Sequence, residues 1–367
     1  MPVLTVNAGS SSVKLALIGG GNELLDSAEL SAPSAQVDRD ELGRLIATRF
    51  GGAGAVAHRV VHGGERFRDA VVIDDAVVAQ LRALSDLAPL HQPKSLAGVD
   101  AVRAVAPGLP AVACFDTAFH ATIPEAAHTY ALPAPWRERW GLRRYGFHGL
   151  SHSWIARRVT ELLGAAGAPA RIVSCHLGAG ASLCAIRDGE SLDTTMGFTP
   201  LEGVVMATRS GSVDPGLLLW LLEREAVSER EMAEALEHSS GLLGLAGSAD
   251  MAAVLRAAEG GEERAVLALG VYLHRLRAAI AAMAAALGGL DVLVFTGGVG
   301  EHAPAIRARA ADGLRFLGVA LDDRANRSPR TPDDEITGDG ASVRTLVLRA
   351  REDLEMARQA RAALAQR

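Results

Sequence analysis

Small and polar residues join two apolar runs near the start of the chain. The segment "TVNAGSSSVKLALI" spans Thr5–Ile18 and has six such residues between its apolar halves. A β-hairpin needs only two turn residues, so the longer connection indicates a backbone shaped to hold a ligand. Uncrowded backbone N–H groups bind anionic oxygens. The segment therefore predicts a phosphate site.

A small-residue turn after an apolar run occurs three times. Val3–Ile18 resembles Arg171–Ile186, "RIVSCHLGAGASLCAI", where a β-branched run, a small-residue turn and a second apolar run recur. In Asp291–Pro304, "DVLVFTGGVGEHAP", a strand-like run leads into glycines and then into a helical segment. A single glycine-rich turn is usually only a turn, but three on matching strand ends suit a polyphosphate.

Charged residues near other turns suit the handling of small anions. The segment "AHRVVHGGERF" places Arg59 and His62 near Gly63 and Gly64, and Arg209 stands in the turn-rich "TRSGSVDPG". Guanidinium groups hold carboxylate or phosphate through paired hydrogen bonds, so two arginines from separate loops could clamp both reactants. Asp116 follows the apolar run of "ACFDTAFH", where either a ligand site or an ordinary cap is expected.

The segment "RRYGFHGLSH" contains two histidines, His148 and His152, with the four-residue spacing of zinc-binding helices. Gly149 and the absence of a glutamate between the histidines disfavour a zinc-protease helix. The setting of His148 between Phe147 and Gly149 is typical of a placed side chain rather than of a core residue.

These residues need a scaffold, and the chain alternates strand-like with helical segments. Runs such as "LPAVACFD" and "LVLRA" are strand-like, whereas "AVLALGVYLHRLRAAIAAMAAAL" has the pattern of a helix. This alternation is typical of an α/β protein with parallel strands. The repeated hairpin predicts two similar halves around one cleft, with a boundary near residue 117. The amphipathic last helix is predicted to fold back onto the first domain.

The composition sets further limits. With 367 residues, 49% of them hydrophobic, the chain can bury a large core, and its length favours two domains. A formal net charge of -6 argues against a nucleic-acid surface. The three cysteines include no C-x-x-C pair, which favours a reducing compartment and buried thiols. A signal-peptide pattern is lacking and the alanine-rich Ala278–Leu287 is too short for a membrane span, so we expect a cytoplasmic protein without membrane or nucleic-acid partners.

Seven segments together resemble the acetate kinase family, a branch of the acetate and sugar kinase, Hsp70 and actin superfamily. They are "NAGSSSVK", "HRVVHGGE", "PLHQP", "FDTAFH", "RRYGFHG", "FTPLEG" and "FTGGVGE", and the resemblance runs from Val3 to about Arg358. It implies an α/β, two-domain actin-like (ribonuclease H-like) fold with duplicated βββαβαβα cores around a nucleotide cleft. The implied first domain comprises residues 1–117 and 351–367. The implied second domain, 118–350, binds nucleotide and forms a homodimer.

The resemblance also implies a reaction and its residues. Members of the family transfer the γ-phosphoryl group of ATP reversibly to acetate, giving acetyl phosphate and ADP, with Mg²⁺ or Mn²⁺. The implied catalytic residues are Arg59, Asp116, His148 and Arg209. The implied acetate-binding residues are Arg59, Val61, Leu90, Phe147 and Pro200. The implied nucleotide-binding residues are Ser10, Ser12, Lys14, His176, Leu177, Gly178, Ala179, Gly180, Asp250, Gly297, Gly298, Val299, Gly300 and Glu301, and the implied metal-site residues are Asn7 and Glu352.

Elementary chemistry narrows the role of Asp116. A carboxylic acid with a pKa of about 4 to 5 is already ionised at pH 7, so acetate needs no strong general base. We therefore expect Asp116 to position Arg59 or the metal. In-line phosphoryl transfer places charge on the equatorial oxygens, which is where the two arginines, His148 and the metal would act.

The sequence departs from the family pattern mainly on the nucleotide side. Ala179 stands where an asparagine is usual in "HLGAG", and "SADMAAV" keeps Asp250 but has Ala252 where an arginine is usual. The other departures are Gln92, Leu150, Ser212 and His302. Loss of one charged contact costs about 1 to 3 kcal/mol, so we expect an active enzyme with weaker or broader nucleotide use.

Two other functions stay open. A propionate or other short-chain acyl kinase would use the same site; the small pocket residues favour acetate, but one methylene is worth only about 1 to 3 kcal/mol. A catalytically silent nucleotide-binding sensor of the same fold has no evident need for the complete catalytic set. A sugar kinase is less favoured, because the sequence lacks an evident additional base and a polar sugar-binding loop.

Overall fold

The computed structural model describes residues 1–9, 12–32, 38–88, 91–164, 170–328 and 333–366. The chain forms two compact units, the first from 1–121, 147–154 and 351–367, and the second from 122–146 and 155–350. These units differ from the division predicted from the sequence at residues 118–121 and 147–154, which pack with the first unit.

Fifteen α-helices are present within the described residues. They are α1 (Arg39–Thr48), α2 (Asp75–Ala83), α3 (Gln92–Val105), α4 (Glu125–His128), α5 (Ala134–Trp140), α6 (Gly149–Leu163), α7 (Pro215–Glu223), α8 (Glu229–His238), α9 (Gly241–Ala246), α10 (Met251–Glu259), α11 (Glu263–Leu287), α12 (Gly297–His302), α13 (Pro304–Asp312), α14 (Asp323–Arg327) and α15 (Glu352–Ala365). Several begin at an aspartate whose side chain accepts a hydrogen bond from a first-turn N–H, as Asp38 does for α1 and Asp74 for α2.

The first unit is built around a six-stranded sheet with the order β3-β2-β1-β4-β6-β5. Its strands are β1 (Val3–Ala8), β2 (Ser12–Ile18), β3 (Leu24–Ser31), β4 (Ala55–Val60), β5 (Val71–Val72) and β6 (Ala111–Phe115). The strands β1, β4 and β6 are parallel, whereas β2, β3 and β5 run antiparallel to their neighbours.

Helices cover both faces of this sheet. Leu4 and Val6 of β1 are buried in one cluster with residues of α1 and α3. Successive side chains of a strand point to opposite faces, so Cys114 of β6 points away from the face that buries Ala113. Cys114 Sγ instead donates to the carbonyl oxygen of Met356 in α15, 3.7 Å away. The helix α15 therefore closes the second face of the sheet.

The second unit repeats this arrangement with the order β11-β12-β10-β7-β8-β9. Its strands are β7 (Ile172–Leu177), β8 (Ala181–Arg187), β9 (Glu190–Thr194), β10 (Val292–Thr296), β11 (Asp333–Glu335) and β12 (Arg344–Leu348). Read from the opposite edge, it matches the first sheet strand for strand, with the same parallel and antiparallel pairs. The predicted duplicated α/β fold is confirmed, and the edge strands β5 and β11 are additions that the sequence did not predict.

The three cysteines lie in the cores of the two units. Cys114, Cys175 and Cys184 are buried and free of disulfides. Burial raises the pKa of each thiol, so these groups stay protonated and unreactive at neutral pH. The prediction of buried thiols is confirmed.

The helix that contains the alanine-rich stretch is longer than the sequence suggested. It ends α11, which has 25 residues, and both this helix and the stretch 241–259 are apolar and long enough to cross a membrane by length and composition alone. The expectation that Ala278–Leu287 is too short for a span was wrong, because the helix already begins at Glu263. One face of α11 is buried, with Ala268, Tyr272 and Leu276 within the core of the second unit.

Candidate active site

Arg59, near the end of β4, lies against the carboxylate of Asp116. Because β4 and β6 are neighbouring parallel strands, Arg59 and the residue that follows β6 reach the same edge of the sheet. Arg59 Nε is 2.9 Å from Asp116 Oδ1, and Arg59 Nη2 is 2.6 Å from Asp116 Oδ2. Arg59 Nη1 also donates to Asn7 Oδ1, 3.2 Å away near the end of β1. Three adjacent strands thus bring three predicted site residues together.

The ion pair between Arg59 and Asp116 is largely shielded from water. The side chain of Asp116 is 2% exposed and that of Arg59 is 23% exposed. Burial disfavours the charged guanidinium, but the negative charges of Asp116 and Glu352 outweigh this effect and raise the pKa of Arg59. Arg59 is therefore a permanent cation with a fixed orientation, in agreement with the prediction that Asp116 positions it.

His148 has an unusual backbone conformation beside this pair. Its φ of 58° lies in the left-handed region, which residues other than glycine rarely adopt. The next N–H, that of Gly149, donates to the carbonyl oxygen of Asp116 at 2.8 Å. A Cβ at position 149 would lie 2.2 Å from that oxygen, so only glycine fits there. The contacts that maintain this strained conformation tie His148 to the strand end that carries Asp116.

Part of the predicted acetate pocket lies in the same unit. Val61 is half-buried just after β4, and Phe147 is fully buried with its ring 5.6 Å from that of His62 in an edge-to-face contact. The side-chain amide of Gln92 accepts from the N–H of His62 and donates to its carbonyl oxygen, at 3.1 and 3.0 Å. These bonds fix the chain that follows Arg59. The predicted pocket residue Leu90 lies outside the described residues.

Arg209 and Pro200 come together in the second unit. Arg209 Nη1 donates to the carbonyl oxygen of Pro200 at 2.7 Å, and the carbonyl oxygen of Arg209 accepts from the N–H of Met206 at 3.2 Å. Burial lowers the pKa of Arg209, and the charge of Glu237 partly opposes this change. An arginine stays protonated even so, because its ordinary pKa exceeds about 12. The loop therefore presents a second fixed cation.

A pocket of about 290 Å³ in the second unit joins three predicted nucleotide-binding segments. They follow β7, precede α10 and begin α12. The predicted residues in its lining are Gly178, Ala179, Asp250, Gly298 and Val299, and Ala252, Tyr272 and His302 also line it. The lining is mainly apolar, which suits a flat heterocyclic group. Asp250 caps α10 by accepting from the N–H of Ala252 at 2.9 Å.

The other predicted nucleotide-binding residues of this unit shape the loops around the pocket. Gly297 has φ 76°, and a Cβ at this position would lie 2.8 Å from the carbonyl oxygen of Leu177. The residue Leu177 is itself fully buried. Glu301 Oε1 accepts from the N–H groups of Gly297 and Ala350, at 3.0 and 2.9 Å. The carbonyl oxygen of Gly180 accepts from the N–H of Gly178 at 3.0 Å. His176 pairs with Thr296 between β7 and β10, and Gly300 is buried in α12.

The opening turn contributes from the first unit. Lys14 of β2 lies directly opposite Asn7 of β1 in the antiparallel pair, so the two side chains are on the same face of the sheet. Ser12 Oγ donates to Glu29 Oε1 at 2.5 Å. Lys14 is exposed next to Asn7 and thus adds a cation to the Arg59 edge of the sheet. Ser10 lies outside the described residues.

The predicted metal residues have suitable chemistry. Asn7 and Glu352 both act on Arg59, the first through a hydrogen bond and the second through its charge. Among the described residues, no group of three or more His, Cys, Asp or Glu side chains could hold a metal ion. Mg²⁺ is usually bound by one or two protein oxygens together with phosphates and water, so an amide oxygen and one carboxylate fit it.

Sequence reasoning missed two sets of positioning residues. Tyr130, Arg144 and Glu202 form a hydrogen-bonded network in the second unit. Arg307 is fully buried and binds the end of α12. Arg144 lies in the motif "RRYGFHG" and Glu202 lies in the motif "FTPLEG". Each is a charged residue that had no assigned role within its motif, and this could have indicated a positioning function.

Two six-stranded sheets of the same strand order define the actin-like class of two-unit α/β proteins. The chain belongs to the acetokinase family, whose pattern matches residues 45–358. It is 42% identical to the acetate kinase of Dictyoglomus turgidum over 98% of this chain and 96% of that protein. The crystal structure of Porphyromonas gingivalis acetate kinase is 36% identical, with a TM-score of 0.90 over 99% of both chains. A propionate kinase structure from Francisella tularensis is 33% identical, with a TM-score of 0.90 over 98% of both chains. The resemblance and the fold class predicted from the sequence are confirmed.

Proposed function

We propose that this protein is an acetate kinase, which transfers the γ-phosphoryl group of ATP to acetate and catalyses the reverse reaction. The ion pair between Arg59 and Asp116 carries the proposal. A buried carboxylate that orients a guanidinium next to Asn7 provides what recognition of a small anion requires. Membership of the acetokinase family supports the same reaction.

The proposed transfer is direct. A carboxylate oxygen of acetate attacks the γ-phosphorus, and the bond from that phosphorus to the bridging oxygen of ADP breaks. Acetate is ionised at neutral pH because its pKa is about 4 to 5, so no base is required and Asp116 is free to hold Arg59. Charge develops on the equatorial oxygens of the phosphoryl group, where the donors of Arg59, Arg209 and His148 stabilise it.

The metal and the nucleotide have separate binding residues in this proposal. Asn7 and Glu352 would hold Mg²⁺ or Mn²⁺, and the bound ion would neutralise part of the phosphate charge. The apolar pocket lined by Ala179, Ala252 and Val299 would take the nucleobase of ATP or ADP. The alanine at 252 leaves the base without a charged side chain at that position, which favours broad nucleotide use.

Propionate is the second candidate acid. A propionate kinase is among the structures that this chain resembles along nearly its full length. Phe147 is fully buried in the first unit and Pro200 is tied to Arg209 in the second, so each of these two predicted pocket residues has little freedom to move. We therefore propose that acetate is preferred, with propionate as a slower substrate and butyrate slower still.

We further propose a homodimer formed through the second unit, in a reducing compartment such as the cytoplasm. No residue of α7 is buried in the described chain, and Leu217, Leu219 and Trp220 are about half exposed. Contiguous exposed apolar side chains of this kind mark an interaction surface, and a symmetric pair of copies is the commonest way to cover one. Light scattering of Trp220→Glu is expected to give the mass of one chain. The three cysteines are free thiols, as is usual for proteins of a reducing compartment.

Trapping of the acyl phosphate with hydroxylamine tests the activity. The enzyme is incubated with ATP, Mg²⁺ and acetate, propionate or butyrate in parallel, with Arg209→Ala as the control. We expect most hydroxamate from acetate and almost none from the variant. Absence of hydroxamate with every acid, in protein that still binds ATP, would identify a silent nucleotide sensor instead. Radiolabelled phosphate retained on the denatured enzyme would contradict direct transfer.

A further inference from the structure

Three side chains hold the loop 196–203, called here the Pro200 loop. Tyr130 and Arg144 come from two other segments, and Glu202 belongs to the end of the loop itself. Tyr130 Oη donates to Glu202 Oε2 at 2.6 Å, and Arg144 Nη2 donates to Glu202 Oε1 at 2.9 Å. Both oxygens of one carboxylate are therefore engaged. The guanidinium of Arg144 also lies 5.6 Å from the centre of the Tyr130 ring.

The same side chains bind the backbone on either side of Gly197. The N–H of Phe198 donates to Tyr130 Oη at 3.0 Å. Arg144 Nη1 donates to the carbonyl oxygens of Thr195 and Met196 at 3.1 and 3.0 Å. Tyr130, Arg144 and Glu202, hereafter the Glu202 network, thus fix the path of the backbone into the Pro200 loop as well as its end.

Gly197 shows how closely the Glu202 network approaches the loop. A Cβ at this position would lie 1.8 Å from Glu202 Oε2 and 2.1 Å from Tyr130 Oη. No side chain can occupy that space. The carbonyl oxygen of Gly197 also accepts from the N–H groups of Tyr145 and Gly146, at 3.0 and 3.2 Å. The backbone is therefore fixed on two sides at the residue that precedes Phe198.

The protonation states of Tyr130 and Arg144 are stable around neutral pH. Burial raises the pKa of Tyr130, and the adjacent Glu202 raises it further. Burial opposes the charge of Arg144, but Glu202, Tyr130 and Asp193 outweigh it and raise the pKa of Arg144. Tyr130 thus remains a hydrogen-bond donor and Arg144 remains a cation around neutral pH, and both keep their hydrogen bonds to the loop.

We propose that Tyr130, Arg144 and Glu202 are positioning residues that set the size selectivity for the acid substrate. The Pro200 loop carries the predicted pocket wall, and its carbonyl oxygen at Pro200 anchors Arg209. A loop fixed at both ends cannot retreat to admit an additional methylene. The inference rests on the proposed acyl kinase function and assigns the origin of its selectivity.

The test compares two acids in the same enzyme preparation. Glu202→Gln removes the carboxylate charge, Tyr130→Phe removes only the hydroxyl group, and Glu335→Gln makes the same change in the exposed pair with Arg344 as a matched control. The ratio of kcat/KM for acetate to that for propionate does not depend on the fraction of folded enzyme. In Glu202→Gln, loosening of the Pro200 loop is expected to bring this ratio about tenfold closer to one. The KM for acetate should rise by a larger factor than kcat falls. The KM for ATP should stay within about twofold of that of the unaltered enzyme.

Hydrogen–deuterium exchange provides a readout without turnover. Tyr130→Phe removes the acceptor of the Phe198 N–H, so faster exchange of a peptide that covers 196–203 is expected, with the Glu335→Gln control unchanged. An unchanged acid ratio in folded, active Tyr130→Phe and Glu202→Gln enzymes would overturn the proposal. If Glu202→Gln does not fold, Tyr130→Phe decides alone by the same two measurements. If the unaltered protein forms no acyl phosphate from any acid, the proposed function itself fails.

Discussion

Arg59 and Asp116 form a two-point ion pair, with Arg59 Nε 2.9 Å from Asp116 Oδ1 and Arg59 Nη2 2.6 Å from Asp116 Oδ2. Both oxygens of the carboxylate are occupied by the guanidinium, and the carboxylate itself is almost fully buried. A carboxylate in this setting orients the guanidinium of Arg59 and does not transfer protons. The third nitrogen of the guanidinium, Arg59 Nη1, donates to Asn7 Oδ1 instead.

The first prediction concerns Asp116→Asn. The change leaves the charge of Arg59 without its main partner, and displacement of a catalytic group by about 1 Å typically costs on the order of 100-fold in rate. We expect kcat for acyl phosphate formation to fall by at least that factor. Asp100→Asn is the matched control, because its pair with Arg82 is exposed and contributes about 0 to 1 kcal/mol. Near-normal kcat in Asp116→Asn would contradict the positioning role.

The second prediction concerns pH and His58. Burial lowers the pKa of His58 from 6.5 to about 3, so the folded chain keeps it neutral while the unfolded chain takes up a proton below pH 6.5. Stability therefore falls as the pH falls from 6.5 towards 3, with a slope of about 1.4 kcal/mol per pH unit from this residue. Urea unfolding of His58→Leu should show a slope that is smaller by that amount.

His58→Leu should also be no less stable than the unaltered protein above pH 7. His58 Nε2 is buried and has no hydrogen-bond partner among the described residues, so its replacement by a leucine removes an unsatisfied polar atom. The histidine His62, whose pKa burial lowers to about 4, is present in both proteins and cancels in the comparison. Equal slopes of unfolding free energy against pH in the two proteins would refute this assignment.

The third prediction concerns nucleotide selectivity. Ala252 lines the mainly apolar pocket next to the α10 cap formed by Asp250. We expect kcat/KM for ATP and GTP to be comparable in the unaltered enzyme, and Ala252→Arg to lower KM for ATP about tenfold, since a charged contact is worth about 1 to 3 kcal/mol. Ala257→Arg, on the same helix but outside the pocket lining, is the control. Strict ATP selectivity of the unaltered enzyme would disprove the prediction.

The fourth prediction concerns Arg307 of α13. Its guanidinium is fully buried and donates to the carbonyl oxygens of Gly300 and Glu301 and to Asn326 Oδ1, at 2.8 to 2.9 Å. Burial lowers its pKa to about 10, so it is charged at neutral pH and holds the last carbonyl groups of α12.

Arg307→Met should therefore loosen the helix that carries Gly298 and Val299 in the pocket. Loss of several hydrogen bonds to buried carbonyl groups is expected to cost about 3 kcal/mol and to raise KM for ATP while KM for acetate stays the same. Thermal unfolding and initial-rate kinetics measure the two effects. Arg309→Met, an exposed arginine of the same helix, is the control. Equal effects of the two substitutions would argue against a specific role for Arg307.

Local patterns were sufficient for much of the fold. The hairpins β1–β2 and β7–β8 could be predicted because their alternating apolar residues and small-residue turns are read from neighbouring positions. The pair formed by Arg59 and Asp116 could be anticipated because Arg59 lies near the end of one apolar strand pattern and Asp116 follows another, and such ends meet in a parallel sheet. The edge strand β5 has only two residues, too few to leave a period in the sequence.

Other features depend on contacts between distant residues. The hydrogen bond between Tyr130 and Glu202 spans 72 positions, and no local pattern encodes such a pairing. The left-handed backbone of His148 precedes Gly149, whose N–H donates to the carbonyl oxygen of Asp116, so it follows from tertiary structure and not from the preference of histidine. Arg307 reads as a surface residue in "APAIRARA", because arginines are almost never fully buried without partners that only the fold provides.

The position of α15 has a consequence for synthesis on the ribosome. This helix buries Leu354, Met356 and Ala357 against the sheet whose first strand begins at Val3. The sheet of the first unit therefore emerges from the ribosome with one face uncovered and waits until residues 352–365 have been translated. A nascent chain that already contains all of 155–350 still lacks Glu352 and the cover over β4 and β6. The first unit can thus be completed only after residues 352–365 have been translated.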